Sequence, residues 1–283
     1  MTISMQHILS STPNFKFVSG TYQKLNLAMQ SPDTSNAQIV EILKSDGAIH
    51  QQLMTVINSS HIPFPTLIDN LTAAVNIIGT SQIRDLVLAI SIIKLSHQLP
   101  ASNDIDIQQF WQQSIACGLT ARVIATFRRE FNLESYFIAG LLHNIGQLFL
   151  STSAPDDYRQ CQQIAIETKT AQHEVELAHF GFNHATLGAR LLEQWLLPPH
   201  LQEIAEFHHQ PEKAVEYPPL VALISFADAM TYNIGYGQQY NCLSNAIDPL
   251  YIEQWGVSEK NHAAIEHQTK ALMPNTVSAF LKL

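Results

Sequence analysis

Apolar residues recur along this chain at helical spacing, and the alternation that marks half-buried strands is missing. In "PDTSNAQIVEILKS" (32–45), Thr34 and Ser35 are cap candidates ahead of Ile39, Val40, Ile42 and Leu43. Asp46 can cap the next helix, 47–60, where Ile49, Leu53, Val56 and Ile57 share one face. "HIPFPT" (61–66) reads as a Pro-broken loop. Helical spacing resumes over 69–78 and, past Gly79-Thr80, over 81–95. A long helix over about 106–130 carries Phe110, Trp111, Ile115, Leu119, Val123 and Phe127 on its apolar side. Further helices are expected over 137–150, 157–167, 171–180, 184–196, 199–208 and 218–232, with two or three shorter ones in 246–283 around Pro249 and Pro274. The predicted fold class is all-α. It divides into an N-terminal helical subdomain (15–103), a second helical subdomain (104–235) and a C-terminal helical extension (236–283). The polar connector "HQLPASND" (97–104) is the expected boundary between the first two.

One stretch departs from the ordinary amphipathic pattern. "FIAGLLHNIGQLFL" (137–150) lies in a segment with no Asp, Glu, Lys or Arg between Glu134 and Asp156. On a helix, Gly140, His143, Asn144 and Gln147 form one stripe at offsets 0, 3, 4 and 7. One reading makes that stripe a wet face. Against it, a wet face usually carries Lys or Glu, and Gly140 and Gly146 suit the close approach of a neighbouring helix. The other reading buries the His-Asn pair, which then needs partners, either as a structural polar cluster or as a site. Seven of the 13 histidines fall between 143 and 209, including His184 and the pair His208-His209. Histidines and carboxylates converging from separate helices are what a metal centre requires. Asp228, in "LISFADAM", is a lone acid on an apolar helix and could serve either as a packing acceptor or as a ligand.

Composition narrows the classes. The 283 residues are 46% hydrophobic and only 14% charged, so much helix surface must be buried or covered by a partner. A net charge of −9 disfavours nucleic acid, whose phosphates call for Lys and Arg. Cys117, Cys161 and Cys242 are far apart and make no CxxC pair, so reduced thiols are expected. "MTISMQHILS" lacks the features of a secretory leader, and the apolar run "LVLAISII" (86–93) is too short to span a bilayer. A soluble, cytoplasmic chain with no membrane partner is the expectation.

The motifs resemble the HD superfamily, specifically its HDOD branch, an output domain related to metal-dependent phosphohydrolases. The likeness runs over about 15–235. It rests on "IVEILKSDGAIHQQLMTVINSS", "LTAAVNIIGTSQIRDLVLAIS", "FWQQSIACGLTARVIA", "FIAGLLHNIGQLFL", "FGFNHATLGARLLEQWLLP", "IAEFHH" and "LISFADAM". It implies that 104–235 is an HD-like helical subdomain. In active HD enzymes an early His, a His-Asp doublet and a late Asp hold a metal, and two-metal relatives add a further His and a His-His pair. Carried onto this chain, the doublet is His143-Asn144, the added ligands are His184, His208 and His209, and the late acid is Asp228. The early His should fall in "WQQS", where Gln113 stands instead.

Gln113 and Asn144 therefore replace a His and an Asp. Such losses weaken a metal site and leave its water less acidic. The expectation is a non-catalytic or weakly active signal-transduction module that binds a signalling protein or a small ligand. The competing expectation is a metal-dependent phosphohydrolase with an altered ligand set. No cofactor is expected, with room for a residual divalent metal (Fe, Mn, Zn or Ni) on His143, His184, His208, His209 and Asp228. Arg190 is the candidate phosphate ligand beside a cavity remnant of Gln113, His143 and Asn144. A homodimer is compatible with the long apolar helices.

Overall fold

The computed structural model describes residues 3–12, 20–59, 67–99, 106–237, 257 and 259–281. Among these, every regular element is helical. In chain order they are α1 (Met5–Ser11), α2 (Gly20–Met29), α3 (Asn36–Lys44), α4 (Gly47–Ile57), α5 (Leu71–Ile78), α6 (Thr80–Ser96), α7 (Ile107–Phe127) and α8 (Leu133–Leu142). There follow α9 (Ile145–Ser153), α10 (Pro155–Thr168), α11 (Gln172–Phe180), α12 (His184–Gln194), α13 (Pro199–Phe207), a 3₁₀ turn (Pro211–Lys213), α14 (Pro218–Asn233) and α15 (Glu259–Leu281).

Local chemistry sets the starts. Ser35 accepts from the Gln38 amide while Gln38 reaches back to Ser35, a capping box that begins α3. Asp46 accepts from Ile49 N and begins α4. Ile49, Leu53, Val56 and Ile57 are all buried, as their shared face requires. Helices α5 and α6 meet at Gly79, whose φ of 93° only glycine adopts easily, and bend by 115°. No single described helix is long and apolar enough to cross a membrane.

The buried helix α7 organises the rest, with α8, α14 and α15 packed against it. A Cβ on Gly140 would sit 2.6 Å from Gly118 Cα, so α7 and α8 cross backbone to backbone. A buried ion pair, Arg122 Nε to Glu134 Oε1 at 2.9 Å, ties the same two helices. Gly146 does the equivalent for α9 and α12: its Cβ would stand 2.5 Å from Gly188 N. One continuous apolar core runs from Ile8 to Phe280.

The structure decides four points of the sequence reading. The 137–150 helix is two helices, because Asn144 leaves helical geometry at φ −100°, ψ 15°. The stripe Gly140, His143, Asn144, Gln147 is buried throughout, so it is no wet face. Phe127, at the end of α7, is 44% exposed, since the buried run of α7 ends at Ala125. The segment around Pro274 is not broken: α15 runs through it. That proline is exposed, while Met273 and Phe280 bury on the inner face and Phe280 stacks on Phe137 at 5.3 Å. Burying two such side chains is worth about 3 to 6 kcal/mol, enough to offset roughly 3 kcal/mol for an interior proline. The 61–66 loop, most of the 97–104 connector, Cys242 and Pro249 lie outside the described residues.

Candidate functional site

Five helices deliver the polar residues that the core encloses. Gln113 and Cys117 lie one turn apart on α7. His143 closes α8, His184 opens α12, His208 and His209 follow α13, and Asp228 lies on α14. All are buried, from 0% exposure for His184 and His208 to 9% for His209. They form two adjoining groups, His184/His208/His209 and Cys117/His143/Asp228. Within each group the ligating atoms lie within 4.8 Å of one another. The His143 and His208 rings, perpendicular with centroids 5.0 Å apart, join the two.

The hydrogen bonds set the tautomers. A carbonyl only accepts, so Nδ1 carries the proton in His143 (2.6 Å to Gly140 O) and in His208 (2.9 Å to Ala205 O). In His184, Nδ1 lies 2.6 Å from Glu176 Oε2, which also takes the His184 backbone N–H at 2.8 Å. Glu176 is fully buried, and Gln172 donates to its other oxygen at 2.8 Å. A histidine held through Nδ1 by a carbonyl or carboxylate presents Nε2 outward, the arrangement that orients metal ligands.

The two groups then differ. In the first, the Nε2 atoms of His184 and His209 face each other at 2.9 Å, about the separation of two imidazoles ~2.1 Å from one ion at a right angle. His208 Nε2 and His209 Nδ1 are buried without a hydrogen-bond partner. Burial, followed by the charges of His143 and His184, holds His208 well below 6.5; burial, followed by His208 and His184, does the same for His209. Both are therefore neutral at pH 7, the form that ligates. Unpartnered lone pairs on buried neutral imidazoles fit a divalent cation.

In the second group the charges are already matched. His143 Nε2 lies 3.2 Å from Asp228 Oδ1, off the line of a hydrogen bond, and Gln113 Nε2 donates to the same oxygen at 3.3 Å. Burial alone would push the Asp228 carboxyl up, but His143, with His208 and Gln113 behind it, holds the carboxyl below 3.8. Burial likewise opposes charge on His143, yet the adjacent Cys117 and Asp228 together hold it well above 6.5. Burial also pushes the Cys117 thiol up and keeps it neutral. Cys117, His143 and Asp228 are no nucleophile triad, because His143 Nδ1 is bound to a carbonyl and one nitrogen cannot serve both partners.

Two sequence-derived candidates stand apart. Asn144 adjoins His143 but belongs to neither group; its amide is buried with neither atom hydrogen-bonded. Arg190 is half-exposed and pairs with Glu193 at 2.9 Å, so it is not a cavity residue. Three residues at the site are not among the sequence-derived candidates: Cys117, Glu176 and His173, whose ring stacks on His209 at 4.2 Å. Cys117 follows Gln113 by four positions, and His173 and Glu176 are three apart in "QHEVE". These helical spacings were the available signal.

Comparison with known proteins places the chain in a family. Residues 16–211 match the HDOD domain. The chain belongs to the HDOD domain family. An HDOD domain protein of unknown function from Geobacter sulfurreducens shares the fold at TM-score 0.77 and 20% identity, covering 98% of this chain and 96% of its own. A Marinobacter aquaeolei protein, named as a candidate signal transduction protein, aligns at TM-score 0.74 and 17% identity over 100% and 62% of the two chains. A Shewanella amazonensis protein, named as a candidate phosphohydrolase, aligns at 0.67 and 19% over 95% and 98%. An uncharacterized Treponema pallidum protein is 26% identical over 208 residues, 72% of this chain. This HDOD chain spans 40% of that relative's length.

Proposed function

We propose that this HDOD protein is a signal-transduction module that works through protein or small-ligand binding and does not hydrolyse phosphoesters. The observation that carries the reading is the state of Asp228. Its carboxylate is taken up inside the chain by His143 and Gln113, in a cluster closed to solvent. A hydrolytic centre keeps positions open for water and substrate. Gln113 and Asn144 remove an imidazole and a carboxylate from the pattern of active HD enzymes, which supports the same reading. The test is turnover of bis(4-nitrophenyl) phosphate, nucleotides and cyclic dinucleotides with added Mn, Fe, Zn or Ni. No hydrolysis above the metal-only control is expected. Sustained turnover that disappears in His184→Ala and His208→Ala would overturn the proposal.

A second reading, a metal-dependent phosphohydrolase with an altered ligand set, draws on the first group alone. His184, His208 and His209 would hold the ion, with Glu176 fixing the orientation of His184. A divalent ion there would supply Lewis acidity toward a phosphoester oxygen. Elemental analysis of protein purified without chelator decides this reading. Less than a tenth of an equivalent of metal, with no activity gained on reloading, would remove it.

A further inference from the structure

One contact in the second group is not explained by a hydrogen bond. His143 Nε2 and Asp228 Oδ1 are 3.2 Å apart, yet the nitrogen is buried without a hydrogen-bond partner, because the oxygen lies off its line. Two donors on one ion stand in this way: ~2.0 Å from a common centre at a tetrahedral angle, they are about 3.3 Å apart and aim at the centre, not at each other. We infer that Cys117, His143 and Asp228 bind a divalent ion of the zinc class, with the Cys117 thiolate as the ligand that selects it. Cys117 is outside the ligand set that the motifs imply, so this donor is the chain's own. The inference rests on the binding role proposed above and names its small ligand as a metal ion.

The three donors come from three helices, and their ligating atoms lie within 4.8 Å of one another. Each is steered from behind. His143 is held through Nδ1 by Gly140 O, which leaves Nε2 for the ion. Asp228 accepts from Gln113 Nε2 at 3.3 Å, and Gln113 is one turn before Cys117 on α7. Cys117 Sγ lies 3.9 Å from Ile224 O, on the turn of α14 that ends at Asp228. The adjoining His208, its ring 5.0 Å from that of His143 and its Nε2 unpartnered, is at hand as a fourth donor.

Charge and softness choose the ion. The pair described above is the metal-free state: a charged His143, a neutral thiol and the Asp228 carboxylate sum to zero. An ion of charge 2+ with a thiolate, a neutral imidazole and a carboxylate also sums to zero. The thiol proton and the His143 Nε2 proton leave as the ion enters, so no net charge is buried. A thiolate beside an imidazole suits zinc and disfavours Mg2+ and Mn2+, which prefer oxygen donors. All three residues are buried, and closed sites of this kind hold zinc without hydrolysing a substrate.

Cobalt(II) reports the thiolate, because cobalt bound to sulfur gives a near-ultraviolet charge-transfer band that imidazole and carboxylate ligands do not. Titrating the reduced, chelator-treated full chain with Co2+ should raise this band to saturation before two equivalents are added, which leaves room for the histidine trio to fill. Zn2+ should then bleach the band, and a large excess of Mg2+ or Mn2+ should not. Cys117→Ser should remove the band and weaken zinc binding by at least about 100-fold, the upper end for losing even a supporting contact. His184→Ala, and separately Cys161→Ser combined with Cys242→Ser, should keep it. If Cys117→Ser does not fold, wild-type protein decides: X-ray absorption at the zinc edge should show one sulfur neighbour at about 2.3 Å. The inference fails if no charge-transfer band forms, if the band survives in Cys117→Ser, or if the zinc edge shows nitrogen and oxygen neighbours only. Phosphoester turnover by the loaded protein would overturn the non-hydrolytic role and leave this site standing. Absence of the band removes the site and leaves that role untouched.

Discussion

Gly146→Ala tests whether the approach of α9 to α12 positions the histidine cluster. An added Cβ would stand 2.0 Å from His184 O, 2.5 Å from Gly188 N and 2.9 Å from Gly188 Cα. All three are backbone atoms, so no rotamer change relieves the clash, and the two helices must part by roughly 1 Å. Alanine gains at most about 1 kcal/mol in helix propensity. Overpacking costs typically 1 to 3 kcal/mol, and rigid backbone neighbours put this site at or above the upper end. The net expectation is a loss of about 2 kcal/mol or more, a fall of roughly 4 to 8 °C in Tm for a chain of this size. Thermal unfolding followed by circular dichroism at 222 nm measures it. Gly47→Ala is the control, since nothing lies within 4 Å of its added Cβ and its φ is not in the left-handed region. That variant should gain about 0.4 to 1 kcal/mol. Because His184 O is the nearest atom, Gly146→Ala should also disturb the 2.9 Å contact between His184 and His209. If Gly146→Ala melts at or above wild type, the backbone contact does not exist as described and its positioning role falls with it.

Glu176→Gln replaces an all-acceptor carboxylate with a group that faces the His184 donors partly with N–H. Urea unfolding should show a loss of about 1.5 to 3 kcal/mol. Asp228→Asn strips His143 of its counter-charge, and the loss should be about 3 to 5 kcal/mol below pH 6.5, where His143 would otherwise be charged in both states. An equal loss at pH 9 would contradict the ion pair. Burial, then His184, pushes His173 down to about 4. A histidine with a depressed folded pKa adds stability that is fully present above its unfolded pKa near 6.5. Chelator-treated protein should lose up to about 1.4 kcal/mol per pH unit from this group as pH falls from 6.5 towards 4, and His173→Gln should flatten that part of the profile. Pro274→Ala restores one backbone donor at an exposed position of α15 and should stabilise by about 1 to 3 kcal/mol in the same urea assay.

Much of the fold was legible because its signals are local. Ser35, Asp46 and Gly79 act within three or four residues of themselves, and each does in the structure what its side chain or its lack of one suggests. The glycines of 137–150 could be read as points of close approach, although their partners, Gly118 and Gly188, could not. The break after His143 left no trace in the pattern. His and Asn are both tolerated in helices, and apolar residues continue on either side at compatible spacing. The break is set by the packing of α9 on α12, at Gly146 and Gly188, which is a tertiary contact.

The site shows the same division between local and non-local information. Arg190 follows His184 by six residues, which at about 100° per residue places it some 120° around the helix, away from the face that buries His184. Its exposure and its pairing with Glu193 follow from that angle alone. Cys117 is the reverse case. Its spacing from Gln113 put it on the buried face of α7, but a lone cysteine on an apolar helix reads as a small hydrophobe until α8 and α14 bring His143 and Asp228 to it. Nor could the sequence divide the ligand candidates into a histidine trio and a charge-matched pair. That division depends on which nitrogen faces which carbonyl, and the carbonyls belong to helix ends whose positions only the fold decides. The family pattern treats His143 as one ligand among several. Its contact with Asp228 makes it instead the cation of an internal pair, while the Asn144 amide beside it stays outside that pair.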